Sequence, residues 1–323
     1  MVRRSLVSAG ISTAALLLSF LAAAPQPVHA GSPTITIEKA APTHSGPVIV
    51  ACVGDSITAG VGASVGEANY PSLLGDLLGP QYKVINFGES GATLLKNGDS
   101  PYWKRPSFDA SASAAPDVVV IMLGANDSKP QNWVHKDEFA SDYKALIEYF
   151  AKMPSSPQIF LCTPTPVPEQ GNYGINEPVV EQEITIIEQV AALKKLPVID
   201  VHAGVPDLPS EFADNVHPND GGYVYLASSV YFGLTHAPVI EPIRGRINSP
   251  TSLVTIVAPD SSSTVRFTVD GSSPTSKSPA YMLPFTLPVP LTKGSGITVS
   301  AQVFHGKKPS GLISTAFFAG PAQ

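Results

Sequence analysis

Five short apolar runs, each separated from the next by a stretch long enough for a helix, set the tightest limit on how this chain can fold. They occupy residues 48–53 (VIVACV), 83–87 (KVINF), 118–123 (VVVIML), 158–162 (QIFLC) and, shorter, 196–201 (LPVIDV). Continuous Val/Ile/Leu runs without in-and-out alternation predict strands buried on both faces. Between them, apolar residues recur at helical spacing. The clearest case is residues 137–153, where Phe139, Tyr143, Leu146, Ile147 and Phe150 share one face; residues 177–196 and 221–234 read the same way. Strand and helix in alternation predict an α/β fold, with a central parallel sheet covered by helices on both sides.

The ends of the chain are different in kind. Arg3 and Arg4 precede an apolar stretch at residues 11–24 and then Val28-His29-Ala30, an A-x-A-like cleavage site. This is the pattern of a signal peptide over residues 1–30, and it predicts an exported protein, periplasmic or extracellular. The stretch falls short of the ~20 residues a membrane-spanning helix needs, so no stable membrane insertion is expected. The paired arginines leave both ordinary secretion and the twin-arginine route open. Residues 31–46, with two prolines and no sustained period, read as a linker. Residues 47–242 hold the strand–helix repeats. After Pro242, helical spacing gives way to short strand-like runs at 264–269, 297–304 and 312–318, punctuated by Ser, Pro, Gly and the Asp270-Gly271 turn. Residues 243–323 are therefore expected to form a small antiparallel β-sandwich.

Charge divides along the same line. Residues 31–242 carry 11 basic and 24 acidic side chains, while residues 243–323 carry 7 and 2. The acidic segment lacks the concentrated cationic charge that phosphate binding requires, so no nucleic-acid partner is expected. Cys52 and Cys162 both sit inside apolar strands, which points to buried thiols rather than metal ligands.

Ligands of a parallel sheet collect at the carboxyl ends of its strands. The first strand delivers Gly54-Asp55-Ser56 there, and the second delivers Glu89-Ser90-Gly91. The third brings Gly124-Ala125-Asn126-Asp127, and a late loop carries Asp214-Asn215-Val216-His217-Pro218. A hydroxyl, a carboxamide, a carboxylate and an imidazole on one edge are the parts needed for acyl transfer. Each has a plainer reading alone, since Ser56 also suits a helix N-cap and Asn126-Asp127 a turn. A nucleotide cofactor is not expected: the Gly60–Gly62–Gly66 spacing is one residue too long for the dinucleotide fingerprint. Thr58 stands where a G-x-S-x-G nucleophile elbow requires glycine.

The blocks GDSIT (54–58), ESGAT (89–93), GAND (124–127) and DNVHP (214–218) resemble, in order, those of the SGNH, or GDSL-type, hydrolases over about residues 47–240. That resemblance implies a three-layer α/β/α, flavodoxin-like fold. It also implies Ser56 as nucleophile, Asp214 and His217 completing a triad, and an oxyanion hole from Ser56, Gly91 and Asn126, with no cofactor and no metal. The family's sheet order places the third strand between the first and fourth. Cys52 and Cys162 would then lie two strand spacings apart, ~9–10 Å, beyond the ~7 Å a disulfide tolerates.

The substrate is less constrained. Asp55, Tyr102, Trp103, Asn172 and Tyr173 lie at or after strand exits and are candidates to contact substrate: aromatic and amide side chains suit a sugar ring, though packing within their loops would equally account for them. Residues 265–285 (VRFTVDGSSPTSKSPAYMLPF) and the following ITVSAQVFHGKKPSG resemble the small domain at the C-termini of chitobiase and β-hexosaminidase, over about residues 248–320. Glycan contact or a merely structural role would both fit it. The combined expectation is a serine esterase removing short acyl groups, acetyl above all, from a carbohydrate. A lipid or thioester acylhydrolase and an inactive glycan-binding surface protein are the alternatives.

Overall fold

The computed structural model describes residue 37 and residues 45–243, 253–258, 264–287 and 296–319. The expected signal peptide and most of the expected linker lie outside these residues. In chain order, β1 (Val48–Gly54) leads into one turn of helix, α1 (Ser56–Ala59), then α2 (Tyr70–Leu78), β2 (Tyr82–Gly88) and α3 (Pro106–Ser113). There follow β3 (Val118–Met122), α4 (Pro130–Trp133), α5 (Lys136–Ala151), β4 (Gln158–Cys162), α6 (Glu177–Lys194), β5 (Val198–Ile199), α7 (Val201–Gly204) and α8 (Asp220–Thr235).

The five strands form one parallel sheet in the order β2-β1-β3-β4-β5. Strand periodicity splits their side chains between two cores. Val50, Cys52, Val118 and Val120 point to one face and pack with Tyr70 and Leu74 of α2 and Leu226 and Val230 of α8. Their immediate neighbours Ala51, Val53, Val119 and Ile121 point to the other, against Phe139, Tyr143 and Leu146 of α5 and Ile187 of α6. Neither face of the central strands meets water, which explains why their runs read as continuously apolar. β2, expected to be buried on both faces, is instead an edge strand with Lys83 and Asn86 exposed.

β3 lies between β1 and β4, the order the resemblance implied. Cys52 and Cys162 are accordingly free and fully buried. Burial pushes the Cys52 thiol up to about 12, and that of Cys162 upward too. Neither can supply a thiolate nucleophile.

The second unit comprises β6 (Val239–Glu241), β7 (Leu253–Val257), β8 (Thr264–Thr268), β9 (Phe285–Thr286), β10 (Gly296–His305) and β11 (Lys308–Ala319). Two three-stranded sheets, β11-β10-β8 and β6-β7-β9, enclose Ile240, Val254, Ile256, Val299, Ala301 and Phe318. All of their ladders are antiparallel. The unit is bound to α8, whose side chains are buried nearly all round; such a helix must be covered on every side. Its last turn meets β11 through a hydrogen bond of 3.0 Å between the Tyr231 and Ser314 hydroxyls, and Ser314 also donates to the Pro238 carbonyl.

Candidate active site

β1 ends at a turn that tolerates no side chain. A Cβ on Gly54 would fall 2.0 Å from the Thr58 hydroxyl and 2.7 Å from the Met122 carbonyl oxygen. α1 begins immediately afterwards, and Asp55 rather than Ser56 caps it: the Asp55 carboxylate accepts from the Ile57 N–H at 2.9 Å. Ser56 occupies the first helical position, with its hydroxyl not needed by the helix. The structure thus separates the two roles that the sequence left superimposed on Ser56.

That hydroxyl lies 2.9 Å from His217 Nε2, and His217 Nδ1 lies 2.8 Å from Asp214 Oδ2. The Asp214 Oδ1 accepts from the backbone N–H groups of Val216 (3.2 Å) and His217 (2.8 Å). Residues 213–217 therefore close on themselves, helped by an Ala213 N–H donated to the His217 carbonyl and by Asn215 in the left-handed region at φ +64°. Partial burial works to raise the Asp214 pKa. The His217 N–H and ring, together with Tyr173, outweigh it and hold the carboxyl below its ordinary range.

Two elements 161 residues apart meet because α8 reaches α1 directly. The Tyr223 hydroxyl donates to the Ile57 and Val61 carbonyls at 2.9 and 2.7 Å. Asn219 caps α8 through the Gly221 and Gly222 N–H groups, just after the histidine loop. Nothing local in the sequence marked Tyr223; as one tyrosine on an apolar helix it reads as core.

The second and third strand exits also converge. Gly91 has φ +79°, and a Cβ placed there would meet open space. Asn126 is buried, with its Nδ2 3.2 Å from the Ala92 carbonyl; its own carbonyl accepts from Asn132 Nδ2 at 2.8 Å. Asp127 lies behind it, accepting from the Leu94 and Leu95 N–H groups at 2.9 and 2.7 Å. The loop with Gly91 and the loop with Asn126 are thereby one unit. Sequence reading missed Asn132, and it treated Asp127 only as half of a turn.

Of the residues expected to contact substrate, the structure withdraws two. Asp55 is buried and spent on its cap. Tyr102 is wholly buried, with its hydroxyl on the Phe87 carbonyl at 2.8 Å. Trp103 is partly exposed but donates its indole N–H to the Leu94 carbonyl and packs on Phe108. Asn172 and Tyr173 do border the triad: Asn172 Nδ2 is 3.3 Å from the Asp214 carbonyl, and the Tyr173 hydroxyl is 3.0 Å from Asp214 Oδ2. Among the described residues, no group of three or more His, Cys, Asp or Glu side chains is placed to hold a metal, and no helix is long and apolar enough to cross a membrane.

Buried acids give the site a pH dependence of its own. Burial pushes the Asp55 carboxyl up to about 6 and that of Asp127 up to about 7. Unfolded, such groups ionise near ~3.9. Between those values the unfolded chain binds fewer protons, so these two groups lower stability as pH rises through the window from about 4 to about 7. Asp55→Asn keeps the cap, since asparagine caps as well as aspartate, and removes the charge. Urea denaturation should show this variant more stable by up to about 3 kcal/mol at about pH 8, with the gain vanishing below about pH 4. A variant no more stable than the parent at the higher pH would show that Asp55 carries no buried charge.

The chain is similar to known proteins over the same segments. Residues 52–225 match the GDSL-like lipase/acylhydrolase family, and residues 242–315 match the chitobiase/beta-hexosaminidase C-terminal domain. An acetylxylan esterase of Xylanibacter ruminicola is 37% identical over 201 residues, 56% of this chain and 42% of that protein. A multidomain esterase of Ruminococcus flavefaciens is 26% identical over 59% of this chain and 29% of that protein. The chain thus spans less than half the length of either relative. Among solved structures, a carbohydrate acetylesterase from Sinorhizobium meliloti is 19% identical, with a TM-score of 0.49, and covers 57% of this chain and 96% of its own. A hydroxyl, an imidazole and a carboxylate in hydrogen-bonded sequence lie inside the first matched segment, and the chain belongs to the GDSL-like lipase/acylhydrolase family.

Proposed function

We propose that this protein is an exported serine esterase that removes short acyl groups, chiefly acetyl, from a carbohydrate. The observation that carries the chemistry is the unbroken hydrogen-bonded chain Ser56–His217–Asp214. A serine hydroxyl alone is a weak nucleophile, and it needs a base within hydrogen-bond reach. His217 Nε2 takes the Ser56 proton as the oxygen attacks the ester carbonyl, and Asp214 steadies the imidazolium that results. The negative oxygen of the tetrahedral intermediate accepts from the Ser56 and Gly91 N–H groups and from Asn126 Nδ2. Collapse expels the alcohol, which leaves with the proton from His217. Water, deprotonated by the same imidazole, then cleaves the acyl-enzyme and frees the acid. No step requires a metal or cofactor.

The substrate class rests on the similarity to the acetylxylan esterase and on the polar rim of Asn172 and Tyr173 beside the triad. Export rests on the signal-like residues 1–30. The second unit is assigned a structural part, as the cover of the last turn of α8. Released acetate should be measurable from acetylated xylan, and p-nitrophenyl acetate should be cleaved faster than the octanoate. A preference for octanoate would overturn the substrate assignment in favour of a lipid or thioester acylhydrolase.

A further inference from the structure

The loop from β4 to α6 is fastened at both ends. The Glu177 carboxylate accepts from the Val167 N–H at 2.7 Å and meets His202 Nε2 with its other oxygen. Asn176 holds Ser128, two residues from Asn126, through its side-chain amide at 3.1 Å and its backbone N–H at 3.3 Å. Between these anchors, Asn172 to Ile175 form a tight turn, closed by an Ile175 N–H donated to the Asn172 carbonyl at 2.9 Å. Its central residues, Tyr173 and Gly174, have φ +56° and +81°, the signs of a type I′ turn.

Glycine or asparagine normally fills both central positions of such a turn. A tyrosine in the first is a bulky side chain where the backbone disfavours one. Packing does not account for it, because Tyr173 is 59% exposed. Its contacts point one way. The ring centroid is 5.8 Å from that of His217, and the hydroxyl donates to Asp214 Oδ2 at 3.0 Å. That oxygen is the one paired with the His217 ring. The exchange is felt on both sides: Tyr173 is made harder to ionise by the Asp214 hydrogen bond, and Asp214 easier.

We infer that Tyr173 is a positioning residue of the triad, its hydroxyl fixing the rotation of the Asp214 carboxylate from a loop outside the one that carries Asp214 and His217. Without it, Oδ1 remains tied to two backbone N–H groups, but Oδ2 keeps only the imidazole. The carboxylate then loses its one side-chain contact from outside its own loop, and its orientation toward the imidazole is fixed less sharply. A strained backbone position that places a side chain on the reacting groups is the usual mark of such a role. The inference rests on the serine-esterase reading above.

Tyr173→Phe keeps the ring and removes only the hydroxyl. With p-nitrophenyl acetate, kcat should fall roughly three- to tenfold, the range an ordinary hydrogen bond commands, while KM and the melting temperature stay unchanged. Tyr173→Asn suits the turn better, cannot reach Asp214, and should lose kcat to the same degree without losing stability. Unchanged kcat in Tyr173→Phe would overturn the inference, as would a KM increase in that variant that accounts for the whole loss. Ser56→Ala assayed alongside separates two failures. If it stays within tenfold of the parent, the reading of Ser56 as nucleophile is itself wrong; if it loses on the order of 10⁴ in kcat while Tyr173→Phe is unaffected, only the role given to Tyr173 falls.

Discussion

Ser56→Ala is expected to lower kcat for p-nitrophenyl acetate by on the order of 10⁴–10⁶, as when a nucleophile is removed from a comparable triad, leaving only the residual catalysis of the oxyanion hole and binding. The structure makes this a clean experiment. The Ser56 hydroxyl has His217 Nε2 as its partner, and Asp55 supplies the cap of α1. Alanine at the first helical position therefore removes no bond the fold relies on, and it is the best helix former available. Thermal unfolding should match the parent, so lost activity is not lost protein. Should the variant retain activity within tenfold of the parent, a different group must attack the ester. The two cysteines would be poor candidates, since burial keeps both thiols protonated.

Much of this site is legible in the sequence because its parts sit where strands end. The runs VIVACV and VVVIML announce buried parallel strands, and the polar residues that follow them are too costly to bury without partners. Asp214 and His217 were legible as a carboxylate and an imidazole three apart in one loop, close enough for both oxygens of the carboxylate to be used, while their triad roles came with the family resemblance. The order of the sheet, by contrast, was implied only by resemblance to a family, since local sequence carries no information on which parallel strands are neighbours.

What stayed hidden was set by tertiary contact. Tyr102 and Trp103 read as cleft aromatics because they follow a strand exit. The loop instead folds inward, into a short turn and α3, and Tyr102 becomes core. α3 itself (PSFDASAS) has too few large apolar residues for a helical period to register. α2 is nine residues long and contains Gly75, so its pattern is brief, although Asn69 and Pro71 mark its start by capping chemistry. Tyr223, which brings α8 to α1, could not be told from any other apolar position of that helix.

Asn126→Ala should lower kcat by about 10²–10³, with little change in KM for p-nitrophenyl acetate. The asymmetry follows from when the interaction is made. The ester oxygen is nearly neutral on binding and charged in the transition state, so a donor aimed at it acts mainly on kcat. The fold should survive the change. Asn132 bonds to the backbone carbonyl of Asn126, which alanine keeps, and Asp127 still holds the Leu94 and Leu95 N–H groups. What goes is the Nδ2 group and its tie to the Ala92 carbonyl, beside Gly91. Asn126→Asp distinguishes a donor from a spacer. It preserves shape and volume but presents a carboxylate to a developing negative charge, so its kcat should fall further than that of the alanine variant at neutral pH. If the aspartate variant is instead the more active of the two, Asn126 contributes by filling space, and the oxyanion must be held by the backbone N–H groups of Ser56 and Gly91 alone.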